Sequence, residues 1–256
     1  MALLTGKVAI VTGSSLPNGI GLAIAKQFAQ AGASILLVAE GTVAQLEAAQ
    51  AACKQAAPAV RTEYAALDLS ISGHAEKMVA QAAALFGRVD ILVNNAAVRI
   101  SKSLGDYSRA DFDTVVAVNL AAPFFACQAV IPLMRRQGGG RIINVASQLA
   151  KVALPQRALY GLTKAALVHL TKSLACELGQ DGIMVNSISP GPTSTQRSVE
   201  RANADPALQR RLESDIPLGR FGRPAEIADL AYFLATTEAT FLQGEDICID
   251  GGYTAH

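Results

Sequence analysis

The sequence predicts an α/β protein: one doubly wound domain over residues 1–256, with a seven-stranded parallel sheet covered by helices on both faces. Three observations predict it. Short apolar runs alternate along the chain with longer Ala- and Leu-rich stretches of helical spacing, the rhythm of strands joined by crossover helices. The apolar runs are nearly continuous rather than alternating, as strands buried on both faces require. No Pro/Gly/Ser-rich linker and no repeat divides the chain, and 51% hydrophobic against 17% charged residues supplies material for one large core.

The elements follow in order. A strand at 8–11 runs into a glycine-bearing turn and a helix over 20–31. A strand at 34–38, a helix over 43–56, a strand at 61–66, a helix over 73–86 and a strand at 91–93 come next. One long helix is expected over 109–136, then a strand at 141–145, a helix over 159–178 and a strand at 184–188. Residues 190–216, polar and arginine-bearing, read as a long irregular stretch; a loop of that length in a compact domain is usually a lid or binding loop. A helix over 224–235 and a strand at 247–249 complete the chain.

The formal net charge of +1, with no block of one sign, gives no footprint for nucleic acid or an acidic membrane. Cys53, Cys127, Cys176 and Cys248 are scattered and form no C-x-x-C pair, which fits free thiols in a reducing, cytoplasmic setting. His74, His169 and His256 are equally dispersed, so no metal site is expected. Lys7 interrupts the amino-terminal apolar residues, which read as a first strand and not as a signal peptide. No uninterrupted apolar run reaches the ~18 residues of a membrane span.

Tyr160 and Lys164 are the most informative pair, because residues four apart lie one above the other on a helix face. A free phenol titrates near ~10 and is a poor acid or base at neutral pH. A lysine cation beside it favours the phenolate and makes a usable general acid/base. Ser147 stands just after the apolar run 141–146, where the carboxyl end of a strand would offer a hydroxyl to the same place. The spacing alone also describes two ordinary helix residues. Thr12-Gly13-Ser14-Ser15-Leu16-Pro17-Asn18-Gly19-Ile20-Gly21 lies between the first strand and first helix, where glycines and a helix N-terminus can receive a pyrophosphate. Glycines there can also serve a purely steric turn.

Together these residues resemble the short-chain dehydrogenases/reductases, over Lys7 to Gly252. The markers are the Gly13/Gly19/Ile20/Gly21 turn, Asp68-Leu69, Asn94-Asn95-Ala96-Ala97, Asn119, Ser147 thirteen residues before Tyr160, Lys164, Pro190-Gly191-Pro192 and Asp250-Gly251-Gly252. The resemblance implies a Rossmann-type fold and hydride transfer between a nicotinamide and a secondary alcohol or ketone. It implies that Tyr160 is the acid/base, that Lys164 lowers the Tyr160 pKa and binds the nicotinamide ribose, that Ser147 orients the substrate oxygen, and that Asn119 holds a water in a relay to Lys164. Bringing Tyr160 near neutrality needs roughly 3–4 kcal/mol at ~1.4 kcal/mol per pKa unit. Asp68 and Leu69 would face the adenine and Asn95 a cofactor ribose, while Pro190, Gly191, Thr193 and Thr195 would flank the nicotinamide, Thr193 at its carboxamide. Gly13, Ser15, Asn18, Gly19, Ile20 and Gly21 would receive the phosphates. Five residues separate Gly13 from Gly19 where the family pattern has three. Enoyl reductases of this group also lengthen that turn, but they place six residues between tyrosine and lysine and lack the serine. Homotetramers are common in the family, built on the helices expected over 109–136 and 159–178.

Glu40, after the second strand, points to NAD: a carboxylate accepts hydrogen bonds from adenosine ribose hydroxyls, and neither 14–18 nor 39–42 contains Lys or Arg for a 2′-phosphate. A carboxylate ~4 Å from that phosphate would cost on the order of 4 kcal/mol per charge pair at an effective dielectric of ~20. The usual acidic position is that of Ala39, so NADP stays as the alternative. Substrate contacts are expected from Arg99, Gln148, Leu149, Leu154 and Arg157 beside Ser147 and Tyr160, with Arg99 or Arg157 a candidate for a substrate carboxylate. Arg197, Arg201, Arg210 and Arg211 are expected to face solvent. A 3-oxoacyl thioester reductase using NADPH, an enoyl reductase and a non-catalytic cofactor sensor are the other readings.

Overall fold

The computed structural model describes residues 3–255; Met1, Ala2 and His256 lie outside it. Seven parallel strands form one sheet: β1 (Val8–Thr12), β2 (Ser34–Ala39), β3 (Thr62–Ala66), β4 (Ile91–Asn94), β5 (Gly140–Val145), β6 (Ile183–Pro190) and β7 (Asp246–Ile249). The number of strands and their parallel sense are those the alternation of apolar runs predicts, and their order is β3-β2-β1-β4-β5-β6-β7. The order reverses between β1 and β4, and a doubly wound sheet opens a crevice beyond the strand carboxyl ends at that point.

The inner strands β1, β2 and β4 bury both faces, which is why their sequences are almost continuously apolar, whereas the edge strands β3 and β7 are only partly buried. Ala9, Val11, Ile35 and Leu37 pack under α1 (Ile20–Gln30) with Ile24, Ala25 and Phe28. Ile10, Leu36, Val38 and Leu92 face the other way, toward α3 (His74–Phe86). The helices over 43–56, 109–116 and 122–136 are α2 (Val43–Ala56), α4 (Arg109–Val116) and α5 (Ala122–Arg136). Paired side chains begin two of them: Thr42 with Gln45 at α2, and Ser108 with Asp111 at α4. Asp90 ties the start of β4 to β1, accepting from the Val8 N–H at 2.9 Å and pairing with Arg88 and Lys7. Burial raises its pKa, but the Arg88 hydrogen bond, the Val8 N–H and the charges of Lys7 and Arg88 prevail and hold it below the usual range.

Two expectations are corrected. The helix expected over 109–136 is interrupted by a widened π-turn at Ala117–Ala121 between α4 and α5. Taken together, 109–136 is the stretch among the described residues long and apolar enough in composition to cross a membrane; here it packs on the sheet beside α3. Residues 190–216 are not irregular. They form α7 (Gln196–Ala204) and α8 (Pro206–Ser214), the latter started by Pro206 and by the Asp205 carboxylate accepting from the Leu208 N–H at 3.0 Å. Their polarity hid the helical period, because these helices bury few apolar side chains. The remaining helices are α6 (Ala158–Leu178) and α9 (Pro224–Thr236).

Candidate active site

The carboxyl end of β1 leads into the glycine turn. Gly13 has φ of +66°, and a Cβ there would lie 2.8 Å from the Ala96 Cα, so glycine is required. A Cβ on Gly21 would lie 2.6 Å from the Asn95 amide nitrogen, so its absence lets α1 close onto the turn. The first turn of α1 has no side-chain cap at Gly19, leaving backbone N–H groups of the kind that accept an anion. The two additional residues of this turn are absorbed at its tip: Gly19 N–H bonds the Leu16 carbonyl at 2.9 Å, and Pro17 and Asn18 project into solvent while Ser15 is buried. These groups fit a dinucleotide pyrophosphate.

The asparagine after β4 serves that turn directly. The Asn95 amide donates to the Thr12 and Gly13 carbonyls at 2.8 and 3.1 Å. The Thr12 hydroxyl accepts from the Asn95 and Ala96 N–H groups, both at 2.9 Å. Asp68 accepts from the Ser70 N–H at 2.8 Å and Leu69 is buried. Glu40 is exposed at the end of β2, and a Cβ on its neighbour Gly41 would be 3.6 Å from the Ser15 hydroxyl. Beyond β6, Pro190 and Thr193 are buried and the Thr193 hydroxyl donates to the Gly191 carbonyl at 3.0 Å; the Thr195 carbonyl accepts from Ser198.

Ser147, Tyr160 and Lys164 come together from β5 and α6. Ser147 hydrogen-bonds the Tyr160 phenol, and its hydroxyl also accepts from the Leu149 N–H at 3.2 Å. Lys164 is almost wholly buried, with Nζ 2.7 Å from the Val145 carbonyl and 5.7 Å from the centre of the Tyr160 ring. Burial pushes the ammonium down to about 8. The electrostatics differ from expectation at Tyr160. Burial raises its pKa, and the groups that oppose the rise are the Arg99 guanidinium and the Ser147 hydrogen bond. Burial prevails, so the phenol stays above its ordinary value, and the first group to oppose it belongs to the loop after β4.

Asn119 sits in the π-turn and is fully buried. Its carbonyl oxygen accepts from the Val98 N–H at 2.8 Å, and its amide donates to the Val98 carbonyl at 2.9 Å and to the Thr163 hydroxyl at 3.2 Å. Both amide protons are thereby committed to protein. Beneath the site, Asn94 donates to Asn144 at 2.8 Å and Asn144 to Thr171 at 2.9 Å, linking β4, β5 and α6. Sequence reasoning missed Asn144, Thr163 and Thr171; an asparagine inside the apolar run 141–145 was the available signal.

The expected substrate residues separate. Gln148 is buried beside Ser147, and its side-chain oxygen Oε1 has no hydrogen-bond partner among the described residues. Leu149, Leu154 and Arg157 line a groove of about 260 Å³ with Gly161, Leu162 and Ala165, a different face of α6 from Tyr160, Thr163 and Lys164. Arg99 is exposed on the loop beside Tyr160. Arg210 and Arg211 are exposed on α8, whereas the side chains of Arg197 and Arg201 lie outside the described residues.

A family model described as enoyl-(acyl carrier protein) reductase matches residues 13–254. D-threitol dehydrogenase of Mycolicibacterium smegmatis is 41% identical, over 98% of this chain and 94% of that protein. D-beta-hydroxybutyrate dehydrogenase of Cupriavidus necator is 37% identical, over 99% of this chain and all of that protein. The crystal structure of L-sorbose reductase from Gluconobacter frateurii, complexed with NADPH and L-sorbose, superposes with a TM-score of 0.93 at 33% identity, covering 100% of both chains. With the fold, the glycine turn and the Ser147/Tyr160/Lys164 cluster in place, the chain belongs to the short-chain dehydrogenase/reductase family and is a nicotinamide-dependent oxidoreductase of alcohols and carbonyl compounds.

Proposed function

We propose that this enzyme uses NAD(H) to interconvert a secondary alcohol and its ketone. The observation that carries the reading is the convergence of the Ser147 hydroxyl and Tyr160 phenol above the buried Lys164 ammonium. In reduction, Tyr160 gives its proton to the carbonyl oxygen while Ser147 hydrogen-bonds the same oxygen; in oxidation the phenolate takes the proton back. The nicotinamide, when bound, supplies or accepts the hydride. Gly13, Ser15 and the start of α1 would hold its pyrophosphate, and Lys164 its ribose. Asn119 is a positioning residue: its side chain is used on Val98 and Thr163, so it would support a relay to Lys164 by fixing the loop and helix on either side of it. Tyr160→Phe tests the assignment. NADH should still bind, and turnover at 340 nm should fall by about 10²–10⁴-fold; retained turnover would refute it.

NAD over NADP is supported by Glu40 next to the turn and by the lack of Lys or Arg in 14–18 and 39–42. Glu40→Arg should lower the ratio of NADPH to NADH dissociation constants by at least ~10-fold, by relief of charge repulsion. A wild-type preference for NADPH would overturn this part alone. The matched family description keeps enoyl reduction as a second reading, for which an enoyl thioester would be reduced and a 3-oxoacyl thioester would not. Ser147 and the three-residue spacing of Tyr160 and Lys164 favour the carbonyl. The exposed aromatics Phe112, Phe124 and Phe125 support a homotetramer, to be weighed by light scattering. A cytoplasmic location is supported by the free thiols, two of them buried, and is tested by cell fractionation.

A further inference from the structure

We propose that the substrate carries a carboxylate close to the reacting carbon, and that Arg99 binds it. The proposal rests on the dehydrogenase reading above and adds the substrate class. Arg99 stands on a fixed loop. Val98, its neighbour, has both main-chain groups held by Asn119 at 2.8 and 2.9 Å, and the Tyr107 hydroxyl donates to the Ile100 carbonyl at 3.0 Å on the other side. Asn119 in turn reaches Thr163, which donates to the Tyr160 carbonyl at 2.9 Å. The Arg99 backbone is therefore joined by a short chain of hydrogen bonds to the helical turn that presents the catalytic phenol. The loop that carries Arg99 is thus fixed to the turn that carries the phenol, and the guanidinium charge is felt at that phenol.

Its charge is not answered within the protein. Three cations in the connections that follow the strands have carboxylates: Lys102 with Asp111 at 2.6 Å, Lys151 with Asp246 at 3.2 Å and Arg220 with Glu226 at 2.8 Å. Arg99 pairs with no carboxylate among the described residues. The segments that carry Arg99 and Ser147 themselves, 95–103 and 147–148, contain no Asp or Glu. An anion entering there meets no opposing charge from them, and a planar carboxylate matches the two-pronged donor face of arginine. Arg99 is exposed, so the free enzyme bears little desolvation penalty for holding it ready. Arg157, the other candidate in sequence, faces the separate groove along α6.

The test uses the wild-type enzyme and Arg99→Gln, each saturated with NADH, titrated calorimetrically with butyrate and with butyramide, which differ chiefly in charge. Butyrate should bind the wild type at least ~10-fold more tightly, and Arg99→Gln should erase that advantage while leaving butyramide unchanged. Equal binding of the two probes to the wild type, no binding of butyrate, or an advantage that survives in Arg99→Gln would each overturn the proposal. Kinetics with a short hydroxycarboxylate and its amide add a second criterion. An equal loss on both substrates in Arg99→Gln, with the kcat profile displaced to higher pH, would make Arg99 a tuner of Tyr160 and would also overturn carboxylate recognition. Failure of the dehydrogenase reading looks different: NADH binds and butyrate discriminates, yet no alcohol or ketone is turned over.

Discussion

Replacing Lys164 with methionine should stabilise the protein while disabling the enzyme. The side chain is almost fully buried and its ammonium, normally titrating near 10.5, is pushed down to about 8 by loss of solvent. At ~1.4 kcal/mol per pKa unit, the cation costs the fold about 3 kcal/mol at pH 7. The bond from Nζ to the Val145 carbonyl returns part of this, about 1–2 kcal/mol for a charged donor to a buried acceptor. Lys164→Met should therefore gain about 1–2 kcal/mol, or roughly 3–6 °C in Tm for a chain of this size. The sign also has a pH signature. Between about 8 and 10.5 the unfolded chain binds more protons at this site than the folded one, so wild-type stability rises with pH across that window. The advantage of Lys164→Met should shrink toward zero by about pH 9.5. Thermal and urea unfolding of both proteins without cofactor, at neutral and alkaline pH, measures this. A variant less stable than wild type at pH 7, by an amount that does not change with pH, would refute the desolvation argument.

Other perturbations follow the same reasoning. Asp90→Asn removes a buried carboxylate shared by Val8, Lys7 and Arg88 and should cost about 1–3 kcal/mol in urea unfolding. Because the folded Asp90 pKa is depressed, its contribution is complete above the unfolded value of ~3.9 and is lost as pH falls through the folded one, so the variant should show a flatter acid limb. Gly21→Ala drives a methyl against Asn95 and the Gly13 carbonyl; NADH affinity measured by fluorescence should fall at least ~10-fold, with 1–3 kcal/mol of destabilisation. Asn119→Ala leaves the Val98 N–H and carbonyl without their partners and should cost about 2–4 kcal/mol by chemical unfolding, with a larger loss of kcat than of cofactor affinity.

The parallel sheet was legible because buried parallel strands need continuous apolar sequence, and 8–11, 34–38 and 91–93 supply it; the order of the strands comes from the structure. The helices α7 and α8 were not, since a helix that buries few apolar side chains writes no hydrophobic period. At the site, Tyr160, Lys164 and Ser147 were readable from spacing, and the structure gathers them as that spacing implies. What spacing could not convey is which group acts on the phenol. Arg99, the first group to oppose the effect of burial there, comes from a loop about sixty residues upstream. Leu154 and Arg157 precede Tyr160 closely in sequence yet line a groove with Gly161, Leu162 and Ala165, because they belong to the connection before α6 and not to the helix face that presents Tyr160.

The π-turn also has a consequence for the helix that contains it. Val115 and Met134 are both fully buried and lie nineteen residues apart. In an ideal helix, eighteen residues complete five turns, so the nineteenth would be rotated by about 100°. The wide turn at Ala117–Ala121 takes up one residue and restores the phase, so both side chains face inward. It works as a frame shift written in one rod: the bulge that carries Asn119 is the same one that keeps the two halves of the rod in step. A single-residue deletion in it would straighten the helix and turn the whole 122–136 half away from its seat on the sheet.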